Sequence, residues 1–109
     1  MREGLGTFEQ AVLVAIVRLE REAYGRAILK EVEDRLQREV AAGAIYATLD
    51  RLEDKKLISS ELGSGTPQRG GRPRRFYTLA PSGLRALDES RVTAQNVWRG
   101  IPRLLRRRA

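Results

Sequence analysis

Apolar residues follow helical spacing through the first half of the chain. The runs 8–20 and 24–37, and a third run that begins near residue 43, place apolar side chains three or four positions apart, as on one face of a helix. In the third run this face consists of Ile45, Leu49 and Leu52. Only a short stretch separates the second run from the third, and this layout is typical of a helix-turn-helix.

The pattern changes at residue 57. The run "LISSEL" (57–62) alternates partly between apolar and polar residues, and "RRFYTLA" (74–80) is rich in aromatic and β-branched residues. Both runs therefore predict short strands. The glycine-rich stretch 63–71 lies between them, so we predict a hairpin.

A helical pattern returns at Pro81 and predicts a long C-terminal helix. Its apolar positions step by three and four residues, which is close to a heptad seam with Arg91 as a polar interruption. These positions are Leu84, Leu87, Ala94, Trp98, Ile101 and Leu105, and Val97 widens the seam. Pro102 lacks the amide donor that its helical turn needs, so we predict a kink or a helix end between Gly100 and Pro102.

The order of elements is helix, helix, helix, hairpin, helix. It predicts a mainly α fold with a small β-hairpin, which is a winged helix-turn-helix followed by a C-terminal dimerisation helix. We place the winged helix-turn-helix at residues 1–79, and the dimerisation helix with its basic tail at residues 80–109.

Composition narrows the function. The 109 residues carry a net charge of +7 and contain neither cysteine nor histidine. These absences exclude disulfides, zinc sites built on Cys or His, and Ser-His-Asp or Cys-His catalysis, so we predict no enzyme activity, no metal and no cofactor. No apolar run is long enough to span a membrane, and the N-terminus lacks a signal-peptide pattern, so we expect a cytoplasmic protein. The positive charge favours an acidic partner.

Arginines concentrate where the hairpin is predicted. Arg69, Arg72, Arg74 and Arg75 fall between residues 63 and 83, with no acidic residue among them. Lysine and arginine side chains that neutralise DNA phosphates release condensed counterions, and arginine also suits a narrow minor groove. After a helix-turn-helix, this stretch predicts a wing that contacts double-stranded DNA. A solvated basic loop is the alternative interpretation.

Three motifs resemble the PadR-like transcriptional regulators. They are the pair Tyr24-Gly25, the pattern Gly43-x-x-Tyr46-x-x-Leu49-x-x-Leu52-Glu53, and Gly71-Arg72-Pro73-Arg74 followed by Phe76-Tyr77. The resemblance covers about residues 8 to 105. It implies a homodimer, usually a repressor, in which the third helix reads the major groove of a two-fold symmetric operator and the C-terminal helix packs against the partner subunit.

The resemblance also implies residue roles. Tyr46 matches a tyrosine that commonly touches the DNA backbone, and Arg74 and Tyr77 match wing positions. We therefore predict that the DNA-binding residues are Tyr24, Ala44, Tyr46, Thr48, Arg51, Arg69, Arg72, Arg74 and Tyr77. The residues predicted for the dimer interface or a ligand site are Leu87, Ala94, Val97, Trp98, Ile101 and Leu105.

Some positions depart from the family pattern. Ala41 and Ala44 stand where polar residues often cap the third helix or meet phosphate, so we expect the wing and Arg51 to carry more of the affinity. Trp98 fits either a packed dimer residue or a wall for a planar aromatic effector that would release the protein from DNA. The arginines that follow Pro102 fit either an additional DNA contact or a solvated chain end.

Two other functional classes remain to be weighed. A non-specific basic RNA- or ribosome-associated protein would also carry this charge, but such proteins use stacking aromatic residues, and this chain has six aromatic residues in all. An enzyme is disfavoured because no carboxylate pair stands in a recognisable motif.

Overall fold

The computed structural model describes residues 4–63 and 73–108. Its α-helices are α1 (Thr7–Leu19), α2 (Gly25–Leu36), α3 (Ala42–Asp54), α4 (Pro81–Trp98) and α5 (Ile101–Arg108), and its strands are β1 (Ile58–Leu62) and β2 (Arg75–Leu79). These elements follow the predicted order, so a mainly helical fold with two antiparallel strands is confirmed. Within the described ranges, no helix is both long and apolar enough to cross a lipid bilayer.

One hydrophobic core joins the first three helices to the strands. The predicted helix faces supply it, because Leu13, Ile28, Val32, Ile45, Leu49 and Leu52 have no exposed surface. Ile58 and Tyr77 add the contribution of the strands. Burying a side chain of this size stabilises a fold by about 1.5–3 kcal/mol relative to leaving it exposed. The N-terminal three quarters of the chain therefore carry a core of their own.

The turn between α2 and α3 is held by a glutamate. Gln37 ends α2 in the left-handed conformation, with a φ of 57°. Glu33, one turn earlier in α2, accepts a hydrogen bond from the amide of Val40 at 2.9 Å. Ala41 then precedes α3 and gives it no side-chain cap. Glu33 consequently anchors the turn that orients α3.

The strands attach directly to the start of α2. β1 and β2 pair in antiparallel register, from Ile58 opposite Leu79 to Leu62 opposite Arg75. On the other edge of β2, the amide of Tyr77 donates to the carbonyl of Ala23 at 2.8 Å, and Tyr24 forms a β-bridge with Phe76. We call residues 58–79 the wing, and its strand β2 is thus connected by hydrogen bonds to the helix-turn-helix.

The C-terminal part consists of two helices, whereas one long helix was predicted. α4 packs on the core through its first turns, but every residue from Arg91 to Gly100 is exposed. α4 ends at Trp98, and Gly100 has a φ of 77°, a conformation that glycine adopts without a steric penalty. The predicted interruption is therefore confirmed, and the seam along residues 84–105 is not continuous.

Candidate nucleic-acid interface

Some of the contact residues predicted on α3 are exposed, and one is buried. Ala44 and Arg51 are exposed, and 48% of the Tyr46 surface is exposed. Thr48, by contrast, is only 2% exposed. A side chain buried to this extent has no surface left for DNA, so the prediction of a direct Thr48 contact is wrong.

Thr48 instead supports its neighbour on the next turn. Its hydroxyl accepts a hydrogen bond from a terminal guanidinium nitrogen of Arg51 at 3.1 Å. A guanidinium carries five N–H donors, so this bond fixes the arginine and leaves the other donors for a phosphate or a base edge. Arg51 is consequently presented from α3 in a defined position.

A cleft of about 260 Å³ opens where α2, α3 and β2 meet. Its walls bring together residues from three separate stretches of the sequence, namely Tyr24, Gly25, Arg26, Tyr46, Pro73, Arg74, Arg75 and Tyr77. Among the residues that the structure describes, neither Arg26 nor Arg74 pairs with a carboxylate, and the Tyr46 hydroxyl has no hydrogen-bond partner. As far as the described residues go, the cleft thus offers positive charge without a carboxylate partner and a hydroxyl donor without an acceptor.

Arg74 is held at the edge of this cleft by the ring of Tyr24. Its guanidinium carbon lies 4.2 Å from the centroid of the Tyr24 ring. The Tyr24 ring in turn meets Phe76 edge to face, with centroids 5.8 Å apart and an interplanar angle of 69°. A cation over an aromatic face contributes about 0.5–1 kcal/mol at an exposed site. This stacking fixes where the positive charge of Arg74 stands.

Tyr77 forms the floor of the cleft and belongs to the core. It is 6% exposed, and burial raises the pKa of its phenol, with Arg75 opposing the shift and Asp50 adding to it. The phenol is therefore neutral at physiological pH. Tyr77 lines the cleft with little exposed surface, and its direct contact with DNA stays a prediction.

Of the remaining predicted DNA-binding residues, Arg69 and Arg72 lie outside the described residues. Arg26 was missed by sequence reasoning, although it directly follows the Tyr24-Gly25 pair and lines the cleft. Glu33, which anchors the turn before α3, carries no sequence signal beyond its place on a polar helix face.

The excess of basic over acidic residues lies in two segments. Residues 1–63 contain ten basic and twelve acidic residues, and residues 80–98 contain two of each. Residues 64–79 contain four arginines and no acid, and residues 99–109 contain five arginines and no acid. These two segments therefore contribute +9, and the rest of the chain contributes −2, which gives the net charge of +7. The cleft lies at the base of the first of these segments.

The predicted dimer residues also divide into two groups. Leu87 is half-buried and packs against the core of its own subunit. Ala94, Val97, Trp98 and Leu105 are exposed, Val97 by 68% and Trp98 by 52%, and Ile101 is half-buried. Exposed apolar side chains on neighbouring turns are typical of surfaces that bind a partner.

A groove adjoins this surface. Its volume is about 450 Å³, and the start of the chain, α1 and α4 line it with Gly4, Leu5, Gln10, Ala86, Glu89, Ser90, Thr93 and Ala94. Most of these side chains are small. The groove therefore leaves room beside the middle of α4.

Solved structures share this architecture. The PadR-like transcriptional regulator of Bacillus cereus is 27% identical, with a TM-score of 0.73 and 92% of each chain covered. The PadR family transcriptional regulator of Eggerthella lenta is 33% identical, with a TM-score of 0.67, over 86% of this chain and 80% of that one. RosR of H. salinarum, in a complex structure, is 26% identical with a TM-score of 0.66, over 88% of this chain and 76% of that one.

The family comparison agrees with the structures. No curated protein matches the chain significantly. The model of the PadR-like transcriptional regulator family, however, matches residues 12–89, which is more than half of the sequence. The wing, the helix-turn-helix and the cleft between them all fall within the matched region or adjoin it. The chain therefore belongs to the PadR-like family of transcriptional regulators, which bind DNA and are not enzymes.

Proposed function

We propose that the protein is a repressor that binds a two-fold symmetric DNA operator as a homodimer. In this proposal α3 enters the major groove, and the wing contacts the backbone or the minor groove beside it. The observation that carries the proposal is the cleft, where basic and hydroxyl groups from α2, α3 and the wing converge, with no carboxylate partner among the described residues.

The chemistry of the cleft suits a DNA phosphate. Arg26 and Arg74 supply positive charge, and the Tyr46 hydroxyl supplies a neutral donor. The N-terminus of α2 adds to them, because Tyr24 gives this helix no side-chain cap and the first amides of a helix have no intrahelical partner. Helix N-termini favour anions for this reason. A phosphate in the cleft would fix the register of α3 in the adjacent groove.

The first turn of α3 would then face base edges. Its exposed residues there are Ala42, Gly43 and Ala44, which are small and let the helix backbone approach the bases closely. A methyl group such as that of Ala44 suits the methyl group of thymine. Arg51, held by Thr48, supplies the charged contact about two turns later.

Dimerisation would cover the exposed apolar surface of α4 and α5. The separation into residues 1–79 and 80–109 follows from this, with the first part binding DNA and the second part binding a partner subunit. Helical DNA-binding dimers place their two recognition helices about one turn of DNA apart, so the operator would be symmetric.

An effector and a location complete the proposal. Trp98 and the groove beside α4 offer an aromatic face and space that a planar aromatic ligand could occupy between subunits, and such a ligand would shift the spacing of the two α3 helices. Packing of Trp98 in the dimer without a ligand is the alternative. The expected site of action is the cytoplasm.

Competition binding tests the proposal. A labelled random duplex pool, an RNA pool of the same length and the protein would be titrated at several salt concentrations, with fluorescence anisotropy as the readout. Binding that favours the duplex and weakens steeply with salt supports the proposal. Preference for RNA would favour the ribosome-associated alternative instead. A reporter gene downstream of a bound sequence should lose expression if the protein is a repressor.

A further inference from the structure

The pair Tyr24-Gly25 stands at the start of α2 and touches both the wing and α3. The ring of Tyr24 lies against Arg74 and Phe76 of the wing, and Gly25 lies buried beneath Tyr46 of α3. We propose that these two residues are positioning residues, which set where Arg74 and Tyr46 stand relative to each other and so shape the cleft for one phosphate. This inference rests on the proposed function, and it gives Tyr24 a role other than direct contact with DNA.

Gly25 is required by the Tyr46 ring. A Cβ atom at position 25 would lie 2.6 Å from both Cε1 and Cζ of Tyr46, and closer still to the hydroxyl oxygen. Carbon atoms in contact are normally 3.5–4.0 Å apart, so any other residue here would displace the ring. Because Tyr46 is half exposed, the ring has room to swing outward without moving α2.

The backbone of α2 gives no separate reason for a glycine. Gly25 is the first residue of the helix and does not have a positive φ, so alanine could adopt its conformation. Alanine is also the better helix former. Glycine is therefore needed here because it has no side chain, which leaves room for the Tyr46 ring of α3.

Tyr24 acts on the wing in a comparable way. Its side chain makes no capping hydrogen bond to α2, so it does not stabilise the start of the helix. Its ring is instead the surface on which the Arg74 guanidinium rests, and within the described part of the chain Arg74 has no carboxylate partner. Without the ring, the Arg74 side chain would be free to rotate.

The first test replaces Gly25 by alanine. We expect the unfolding temperature of Gly25→Ala to equal or exceed that of the wild type, while its affinity for a duplex selected with the wild type falls about ten-fold, as expected for one charged hydrogen bond. Tyr46→Ala should lose a similar amount, and the double variant should lose no more than Tyr46→Ala alone. Wild-type affinity in Gly25→Ala, additive losses, or a marked fall in its unfolding temperature would each overturn the role of Gly25.

The second test separates the Tyr24 ring from its hydroxyl. Tyr24→Phe keeps the aromatic face and should bind as the wild type does, whereas Tyr24→Leu should lose as much affinity as Arg74→Ala, with no further loss when the two are combined. If Tyr24→Phe loses as much as Tyr24→Leu, the hydroxyl contacts DNA directly, and the positioning role of Tyr24 is overturned.

NMR of the DNA-free protein distinguishes failure of this inference from failure of the proposed function. Wild-type protein should show nuclear Overhauser effects between the Gly25 α-protons and the Tyr46 ring, and Gly25→Ala should lose the corresponding contact. A wild type without these effects overturns the inference. A wild type that shows them but has no affinity for duplex DNA overturns the proposed function alone.

Discussion

The N-terminal helices and the C-terminal end of the chain are both helical, but they differ in what stabilises them. In α1, α2 and α3 the apolar face of each helix is buried against the others, and residues such as Leu13 and Leu49 have no exposed surface. In the second half of α4 and in α5 the apolar residues remain exposed, including Val97 and Trp98. The same helical spacing of apolar residues therefore forms a buried core in α1 to α3 but leaves an exposed apolar face on the second half of α4 and on α5.

This difference shows which part of the chain requires a partner. Isolated helices of fewer than about 12–15 residues are marginally stable in water, and the exposed part of α4 is shorter than that. α5 is shorter still, and Gly100 separates it from α4. The winged-helix part and the packed first turns of α4 should thus be stable as a monomer, whereas the exposed second half of α4 and α5 should be stable only in an assembly.

The largest expected effect lies in the N-terminal core. Leu49→Ala removes a fully buried side chain from α3 and should lower the free energy of unfolding by about 2–5 kcal/mol, because a cavity remains. Leu62→Ala is the matched control, since Leu62 is 57% exposed and its loss should cost less than about 0.5 kcal/mol. Urea unfolding measures both values. Equal costs would mean that the core is not where the structure places it.

The next effect concerns the C-terminal surface. Val97→Asp would place a charge at the proposed subunit interface, and burying an unpaired charge is costly, so the dimer dissociation constant should rise by about a hundred-fold or more. Circular dichroism should show loss of helix at concentrations where the variant is monomeric. Sedimentation equilibrium gives the dissociation constant.

Gln95→Asp provides the control for this substitution. It adds the same charge to the same exposed stretch of α4, at a polar position, and should leave the dimer intact. Two variants with identical oligomeric states would contradict the proposed interface.

A smaller effect is expected at the wing. Arg74→Ala should weaken binding to a selected duplex by roughly ten-fold and reduce the slope of log affinity against log salt by about 0.9, the value for one phosphate contact. Its thermal stability should hardly change, since Arg74 is exposed. Arg85→Ala, an exposed arginine of α4, should alter neither affinity nor slope. An unchanged slope in Arg74→Ala would remove this residue from the DNA interface.

The smallest effect is a pH dependence within the N-terminal part. Burial alone would raise the pKa of Glu9, but hydrogen bonds from the Lys55 ammonium and the Gly6 amide outweigh it, and the pKa lies below the usual 4.5. A carboxylate with a lowered folded-state pKa stabilises the fold above its unfolded-state pKa, and this stabilisation is lost as the pH falls through the folded-state value.

Glu9→Gln tests this contribution. The wild type should be more stable than Glu9→Gln by about 0.2–1 kcal/mol at neutral pH, because Lys55 is half exposed and the pair is screened. The difference should vanish in urea melts well below pH 4.5. A difference that persists in acid would assign the effect to packing.

Sequence periodicity was sufficient for the core but not for the cleft. Ile45, Leu49 and Leu52 follow from their spacing, and each is fully buried. Thr48 lies at the border of that face, where one helical step of 100° decides between burial and exposure, and its polar side chain favoured the wrong choice. The Gly25 contact with Tyr46 joins two elements far apart in sequence, so no local pattern could reveal its reason.

The C-terminal helices show a different limit. The seam from Leu84 to Leu105 was predicted from spacing alone, and spacing cannot say whether a face is covered by the same subunit or by another. The structure divides it, because Leu87 packs on its own core while Trp98 does not. Gly100 and Pro102 were a reliable local signal for the break, since their backbone preferences do not depend on distant contacts.

Selection of bound duplexes from a random pool tests the central claim most directly. The pool would be incubated with the wild type and, in parallel, with Val97→Asp, and the bound sequences determined. The account predicts a two-fold symmetric motif with half-sites about one helical turn apart for the wild type, and a weakened or single half-site for the variant. An asymmetric motif shared by both proteins, or no enriched motif at all, would contradict a dimeric operator-binding regulator.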